Sequence, residues 1–182
     1  MTAIQLERPL VAALGRGKPG VSSPLPLSVY VHLPWCLRKC PYCDFNSHES
    51  RDRGAVPEAR YIDALQADLE AALPAIWGRS VQTVFIGGGT PSLFSPEAID
   101  RLLAMLRARL ALVPGAEVTM EANPGTFEAA RFRAYAQAGV TRLSIGVQSF
   151  SDDALKALGR VHDSAQARHA IETAAEAFET FN

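Results

Sequence analysis

The sequence has almost no net charge and no long apolar segment. Its 182 residues include 18 Lys and Arg against 19 Asp and Glu, a formal charge of -1. Such a chain offers no electrostatic case for binding nucleic acid or an anionic membrane. No segment approaches the roughly 20 apolar residues of a membrane span, and residues 10–14 are too few for the core of a signal peptide. We therefore expect a cytoplasmic protein with no transmembrane segment and no nucleic-acid partner.

Cysteine is equally scarce, with three in the whole chain, and all three lie in one short stretch, Cys36, Cys40 and Cys43. Three thiolates can ligate three irons of a cuboidal four-iron cluster, and the chain has no fourth thiolate for the remaining iron. A zinc site completed by His48 is the alternative, since thiolates also select zinc. Cysteines that only fill the core would be spread along the chain, and a disulfide would suit an exported protein. Both of these explanations therefore fit the sequence less well than a cluster or zinc site.

Strand and helix patterns alternate after a lead-in, residues 1–27, that is rich in proline and glycine and is expected to be flexible. Four segments with β-forming alternation or apolar runs predict strands, and the segments between them have helical periodicity. The predicted strands are 27–33, 81–86, 117–120 and 143–147. The predicted helices begin at Pro57, after the cap Ser95, at the cap Thr126 and at Ser164, with a shorter helical turn at 152–158 and a stop at Gly139.

This alternation predicts an α/β fold with a parallel sheet and right-handed crossovers. The residues that could bind a ligand follow the strands, as in a barrel whose site lies at the carboxyl ends of its strands. An open, doubly wound sheet is the structural alternative.

Polar and glycine residues at the strand ends are the candidates for ligand binding. A glycine run, 87–89, lets backbone groups approach a ligand, although a plain tight turn is also compatible with it. Glu121 ends the third strand, Gln148 follows the fourth, and Arg160 offers a guanidinium fork for a carboxylate. Taken singly, these three residue types are more often surface or capping residues.

Three stretches carry a resemblance to a known family. The stretch 30–47 contains Cys-x3-Cys-x2-Cys and its aromatic lead-in, and it resembles the radical SAM superfamily. Together with the runs Gly87-Gly88-Gly89-Thr90-Pro91-Ser92 and Ser144-Ile145-Gly146-Val147-Gln148-Ser149-Phe150, it resembles the oxygen-independent coproporphyrinogen III oxidase family, and within it the heme chaperone branch.

The resemblance implies a 4Fe-4S cluster and S-adenosylmethionine as cofactors, and it assigns residues to each. Cluster ligands would be Cys36, Cys40 and Cys43, with S-adenosylmethionine completing the coordination of the fourth iron. Residues implied to contact S-adenosylmethionine are Tyr30, Tyr42, Gly88, Gly89, Thr90, Glu121, Gln148 and Arg160. The resemblance also implies that residues 28–182 are the N-terminal part of a partial (β/α) barrel, truncated after about four βα units, with the rest of the barrel and a C-terminal domain absent.

Phe45 separates the two activities found in this family. Oxidases of the family carry a further cysteine at this position, two residues beyond the third cluster cysteine, so decarboxylating oxidase activity is not expected here. The resemblance instead implies a chaperone that, at full length, binds heme, transfers it to an acceptor and receives electrons from a donor. An oxygen-independent coproporphyrinogen III oxidase and, from another class, a zinc-stabilised binding module are the alternatives.

Overall fold

The computed structural model describes residues 25–50, 56–125 and 129–182. The lead-in predicted for residues 1–27 and the cap predicted at Thr126 therefore lie mostly or wholly outside the described residues. The strands are β1 (Leu27–Leu33), β2 (Trp35–Cys36), β3 (His48–Glu49), β4 (Ser80–Gly88), β5 (Ala111–Ala122), β6 (Arg142–Ile145) and β7 (Thr180–Phe181). The helices are α1 (Glu58–Ile76), α2 (Pro96–Arg109), α3 (Phe132–Ala138), α4 (Asp152–Ala157) and α5 (Ser164–Ala177), and a 3₁₀ turn spans Pro91–Leu93.

The main sheet is parallel and follows the order of the chain. Its five strands lie in the order β1, β4, β5, β6, β7, so each strand pairs with the next main-sheet strand along the chain. A doubly wound sheet would reverse its order at a switch point. The described strands have no such reversal, so the partial barrel is the better description.

The helices form one layer on one face of this sheet. Helices α1, α2, α3 and α5 pack side by side in that order. Alternate strand residues such as Val31, Ile86 and Leu143 are buried in the core beneath them. On the opposite, concave face, Tyr30 is 58% exposed. One covered face and one open face are the geometry of an unclosed barrel wall.

Helix ends follow the chemistry expected from the sequence. The Oγ of Ser95 accepts a hydrogen bond from the Ala98 amide at 3.2 Å, and Pro96 occupies the first helical position of α2. At the end of α3, Gly139 has a φ of 108°, the left-handed conformation in which glycine terminates helices.

Apart from shifts of a few residues at the ends of elements, the sequence prediction differs from the structure in three places. Strand β5 is much longer than the predicted 117–120, because its first residues pair with β4 before a register shift between Val81 and Thr83. Strands β2 and β3 form a separate two-stranded parallel sheet that two-residue segments could not reveal. Strand β7 begins where a next strand was due, and it adds a fifth strand to the four predicted.

Candidate functional site

A cleft of about 300 Å³ opens at the carboxyl ends of the main-sheet strands. The register aligns these ends, pairing Leu33 with Gly88 and Ala122 with Ile145. Ten of the eleven residues predicted for the site line the cleft: Cys36, Cys40, Tyr42, Cys43, Gly88, Gly89, Thr90, Glu121, Gln148 and Arg160. The parallel topology therefore brings residues from five separate segments to one place.

The cysteines lie in a loop whose base is held by the small β2–β3 sheet. His48 donates its amide to the carbonyl of Pro34 at 2.8 Å, and Ser50 donates to that of Cys36 at 2.8 Å. Inside the loop, the ammonium of Lys39 donates to the carbonyls of Phe45 and Ser47 at 3.0 and 3.3 Å. The cation of Lys39 thus braces the loop from within.

Cys36 is the most enclosed of the three cysteines. Its side chain is buried, whereas Cys40 and Cys43 are half-buried. Burial raises the pKa of the Cys36 thiol, and hydrogen bonding by the side chains of Thr90 and Ser47 acts in the opposite direction. Neighbouring hydroxyls are thus positioned to stabilise a thiolate at Cys36.

The three thiols and His48 are the candidate ligands of a single metal ion, the alternative to a cluster. In the part of the chain that the structure describes, no three His, Cys, Asp or Glu side chains converge as one bound ion requires. His48 is exposed on β3, so it gives no support to a zinc tetrahedron with the cysteines. In a cuboidal cluster each thiolate ligates a different iron, and convergence of the three sulfurs on one point is not needed. Three thiolates on one loop are therefore a donor set that a cluster can use.

The glycines at the end of β4 allow the cysteine loop to pack on the sheet. A Cβ on Gly88, whose φ is 125°, would lie 2.9 Å from the imidazole of His32. A Cβ on Gly89 would lie 2.5 Å from the carbonyl oxygen of Trp35, directly before the first cysteine. These glycines were predicted to open the backbone to a ligand, and the structure gives them a second role beneath the loop.

Glu121 lies at the centre of the strand ends. Its Oε2 accepts the Gly88 amide at 3.1 Å. Burial raises the pKa of the Glu121 carboxyl, while the hydrogen bond from Gly88 and the nearby His32 partly oppose that rise. The Gly88 amide therefore holds the carboxyl in place, and the nearby groups balance its negative charge only in part. A cationic group on a ligand would balance the remainder.

Arg160 bridges the cysteine loop to two strand ends. Its Nη2 donates to Asn123 Oδ1 at 2.8 Å and to the Gly146 carbonyl at 2.7 Å, and its Nη1 donates to Cys40 Sγ at 3.4 Å. The Nε atom is buried and has no hydrogen-bond partner among the described residues. An acceptor on a bound ligand would satisfy that nitrogen.

Gln148 adopts a left-handed conformation next to this arginine. Among the described residues other than glycine, only Gln148 has a positive φ, of 66°. The carbonyl of Val147, one residue earlier, contacts Nε2 of the buried His162 at 3.1 Å. Burial lowers the pKa of His162, and the charge of Arg160 acts in the same direction. The imidazole of His162 therefore supports the turn that carries Gln148.

Tyr30 is the predicted site residue that the structure does not place in the cleft lining. Its hydroxyl contacts Nδ1 of His32 at 2.9 Å, and its ring stacks on Phe85 with centroids 6.2 Å apart. It lies on the concave face near Glu121, whose charge adds to the rise that burial produces in the Tyr30 pKa. Its assignment as a cofactor contact remains a prediction.

The sequence reasoning missed the roles of Asn123 and His162. Asn123 bridges Thr90 and Arg160, donating to the first at 3.2 Å and accepting from the second. Its place before Pro124 indicates only a turn, because asparagine is common there. His162, two residues after Arg160, had no ligand spacing that set it apart.

Known proteins match most of this chain. The family model of the Radical SAM superfamily matches residues 30–182. The chain is 56% identical over 149 residues to a protein of Escherichia coli named heme chaperone HemW, covering 82% of this chain and 39% of that protein. It is 50% identical over 153 residues to the protein of that name from Haemophilus influenzae, with the same two shares.

A solved structure has the same arrangement of strands and helices. The radical SAM enzyme coproporphyrinogen III oxidase (HemN) of Escherichia coli matches with a TM-score of 0.77 at 31% identity, over 86% of this chain and 36% of that one. The chain thus spans about two fifths of the length of the curated relatives it matches.

Proposed function

Since the chain belongs to the radical SAM superfamily, we propose that Cys36, Cys40 and Cys43 hold a 4Fe-4S cluster and that the adjoining cleft binds S-adenosylmethionine. One observation carries this proposal: three half-buried or buried thiols share a single cleft with a half-buried carboxyl and an unsatisfied guanidinium nitrogen. The superfamily implies both cofactors, and the ligand set is our assignment.

The residues around the cleft have chemistry suited to the two ends of the amino acid part of S-adenosylmethionine. The Glu121 carboxylate suits the ammonium group, and Arg160 Nε suits the carboxylate. Thr90 and Gln148 offer a hydroxyl and an amide to the remaining polar groups. When bound, the cluster supplies an electron for reductive cleavage of S-adenosylmethionine, and the protein contributes binding, orientation and exclusion of water.

We propose further that the whole protein is a heme chaperone that passes heme to an acceptor and receives electrons from a donor. The proposal rests on the two relatives named heme chaperone HemW, at 56% and 50% identity. Phe45 also stands where the family's oxidases have a cysteine. The structural match to HemN shows that an oxidase has the same fold, so the oxidase remains the alternative. Within the described residues no helix is long and apolar enough to cross a membrane, and a cytoplasmic location remains a prediction.

The first experiment is anaerobic reconstitution followed by measurement of iron, sulfide and zinc. We expect about four irons and four sulfides per chain, with an electron paramagnetic resonance signal of the reduced sample that changes when S-adenosylmethionine is added. Replacing Cys36, Cys40 or Cys43 by alanine should abolish cluster assembly, because the chain has no spare thiolate. Stoichiometric zinc without sulfide, in a folded chain, would overturn the proposal.

The heme proposal needs its own measurement on the full-length protein. Titration with heme should give a saturable absorbance change, and loaded protein should pass heme to an apo-hemoprotein. Coproporphyrinogen turnover assayed alongside distinguishes the oxidase. Turnover without heme transfer would replace the chaperone with the oxidase, and Phe45→Cys tests whether the missing cysteine matters.

A further inference from the structure

A guanidinium contacts one of the three cysteine sulfurs from a distant part of the chain. Arg160 Nη1 donates to Cys40 Sγ at 3.4 Å, across 120 positions of sequence. Its contact with the Tyr42 hydroxyl, at 3.5 Å, is long and contributes less.

The guanidinium is held in this position from its other side. The hydrogen bonds of Nη2 to Asn123 and Gly146 fix its plane against the ends of β5 and β6. The backbone amide of Arg160 donates to the Leu155 carbonyl at 2.9 Å, and Leu155 is fully buried. The Nη1 donor is thus directed at Cys40 by a rigid frame, which lowers the entropy cost of the contact.

The preceding residue brings the frame against the loop itself. Gly159 has a φ of 70°, and a Cβ built there would lie 2.9 Å from Cδ of Pro41, the residue after Cys40. The chain before Arg160 therefore touches the cysteine loop directly. Arg160 and Cys40 are held together by packing as well as by the hydrogen bond.

Donors to the sulfur of a metal ligand stabilise its negative charge. Hydrogen bonds to sulfurs, net charge and burial are the levers by which a protein sets the reduction potential of an iron-sulfur cluster. Reduction adds one negative charge, so a fixed cation at a ligating sulfur favours the reduced state. We infer that Arg160 raises the reduction potential of the cluster through the sulfur of Cys40. This inference rests on the proposed function, because it requires the cluster.

The test is a redox titration of the cluster without S-adenosylmethionine, followed by electron paramagnetic resonance. Omitting S-adenosylmethionine removes any effect of Arg160 on that ligand. Arg160→Gln removes the cation and the directed donor together. We expect the equilibrium constant for one-electron reduction to fall about tenfold, equivalent to a midpoint about 59 mV more negative.

Arg38→Gln is the matched control. Arg38 also lines the cleft and carries the same charge, but it makes no hydrogen bond to a cysteine sulfur within the described part of the chain. Because Arg38 is exposed, water screens its charge, and its removal should change the constant less than twofold. Arg160→Lys keeps the charge without the planar fork, so its midpoint potential should lie between those of Arg160→Gln and Arg38→Gln.

A second variant covers the case in which Arg160→Gln does not assemble a cluster. Asn123→Ala keeps the arginine and removes one of the two acceptors that direct it, so the midpoint should move in the same direction by a smaller amount. A cluster in the parent chain with equal midpoints in every variant that loads would overturn this inference and leave the proposed function intact. A parent chain that assembles no four-iron cluster would overturn both.

Discussion

Gly89→Ala tests whether the glycine run serves to seat the cysteine loop. The added Cβ would lie 2.5 Å from the Trp35 carbonyl oxygen and 2.7 Å from the Pro34 carbonyl group. All of these are backbone atoms, which cannot rotate away as the end of a side chain can. The substitution must therefore move the segment that leads into Cys36.

The expected cost follows from this overlap and from two hydrogen bonds. The closest contact, at 2.5 Å, lies well below the 3.4 Å at which ordinary van der Waals contact begins, and overpacking of this kind typically costs about 1 to 3 kcal/mol. Gly89 donates to the Leu33 carbonyl at 2.8 Å, and Thr90 donates to that of Trp35 at 2.7 Å. Each bond broken by the shift adds about 1 kcal/mol. We expect a total loss of about 2 to 4 kcal/mol in the free energy of unfolding.

Urea unfolding followed by circular dichroism measures this loss, and iron content after reconstitution measures the consequence for the site. Gly146→Ala is the matched control, because it adds the same methyl group at the end of β6 in the same cleft. There the nearest atoms are Arg160 Nη2 at 3.4 Å and Gln148 Nε2 at 3.5 Å, which are ordinary contacts. We expect the control to lose less than about 1 kcal/mol and to retain its iron.

The opposite result would refute the reasoning. If Gly89→Ala unfolds at the parent's urea concentration and keeps a full complement of iron, the loop does not depend on the close approach at this glycine. If both variants lose stability equally, the effect belongs to glycine replacement in general and not to the contact with Trp35.

Two further predictions concern charge and capping. Glu121→Gln should stabilise the chain relative to the parent at neutral pH. Burial raises the folded-state pKa of Glu121, so the parent's stability is fully present below the unfolded pKa and is lost as the pH rises through the folded pKa. Urea unfolding of the variant and the parent at about pH 4 and about pH 8 measures the effect. The difference in free energy of unfolding between the two proteins should be larger at the higher pH, and an equal difference at both pH values would contradict the prediction. Asp163→Ala removes the capping box in which Asp163 and Gln166 exchange hydrogen bonds at 2.8 and 3.0 Å, and it should cost about 1 kcal/mol; an unchanged thermal midpoint would show that the cap contributes nothing.

Local chemistry made much of the fold predictable. Ser95 with Pro96 marked a helix start, and Gly139 marked a helix end, because caps depend on neighbours within one turn. Strand β1 was predicted with its observed bounds, since its alternation and its β-forming residues agree. Parallel pairing then brings the strand ends together, which is why residues as distant as Cys36, Glu121 and Gln148 could be predicted to meet.

Features set by long-range contacts were not predictable. Asn123 acquires its importance from Thr90 on one side and Arg160 on the other, and neither is near it in sequence. The β2–β3 sheet consists of two residues from each strand, too few for any periodicity.

The small sheet at the base of the cysteine loop has a consequence for the thermodynamics of metal capture. An unpinned loop of about a dozen residues loses roughly 2 kcal/mol of chain entropy when its ends are brought together. In this protein the backbone hydrogen bonds from His48 to Pro34 and from Ser50 to Cys36 close the loop. Folding thus meets that entropy loss in advance, so more of the free energy of thiolate ligation remains available for affinity.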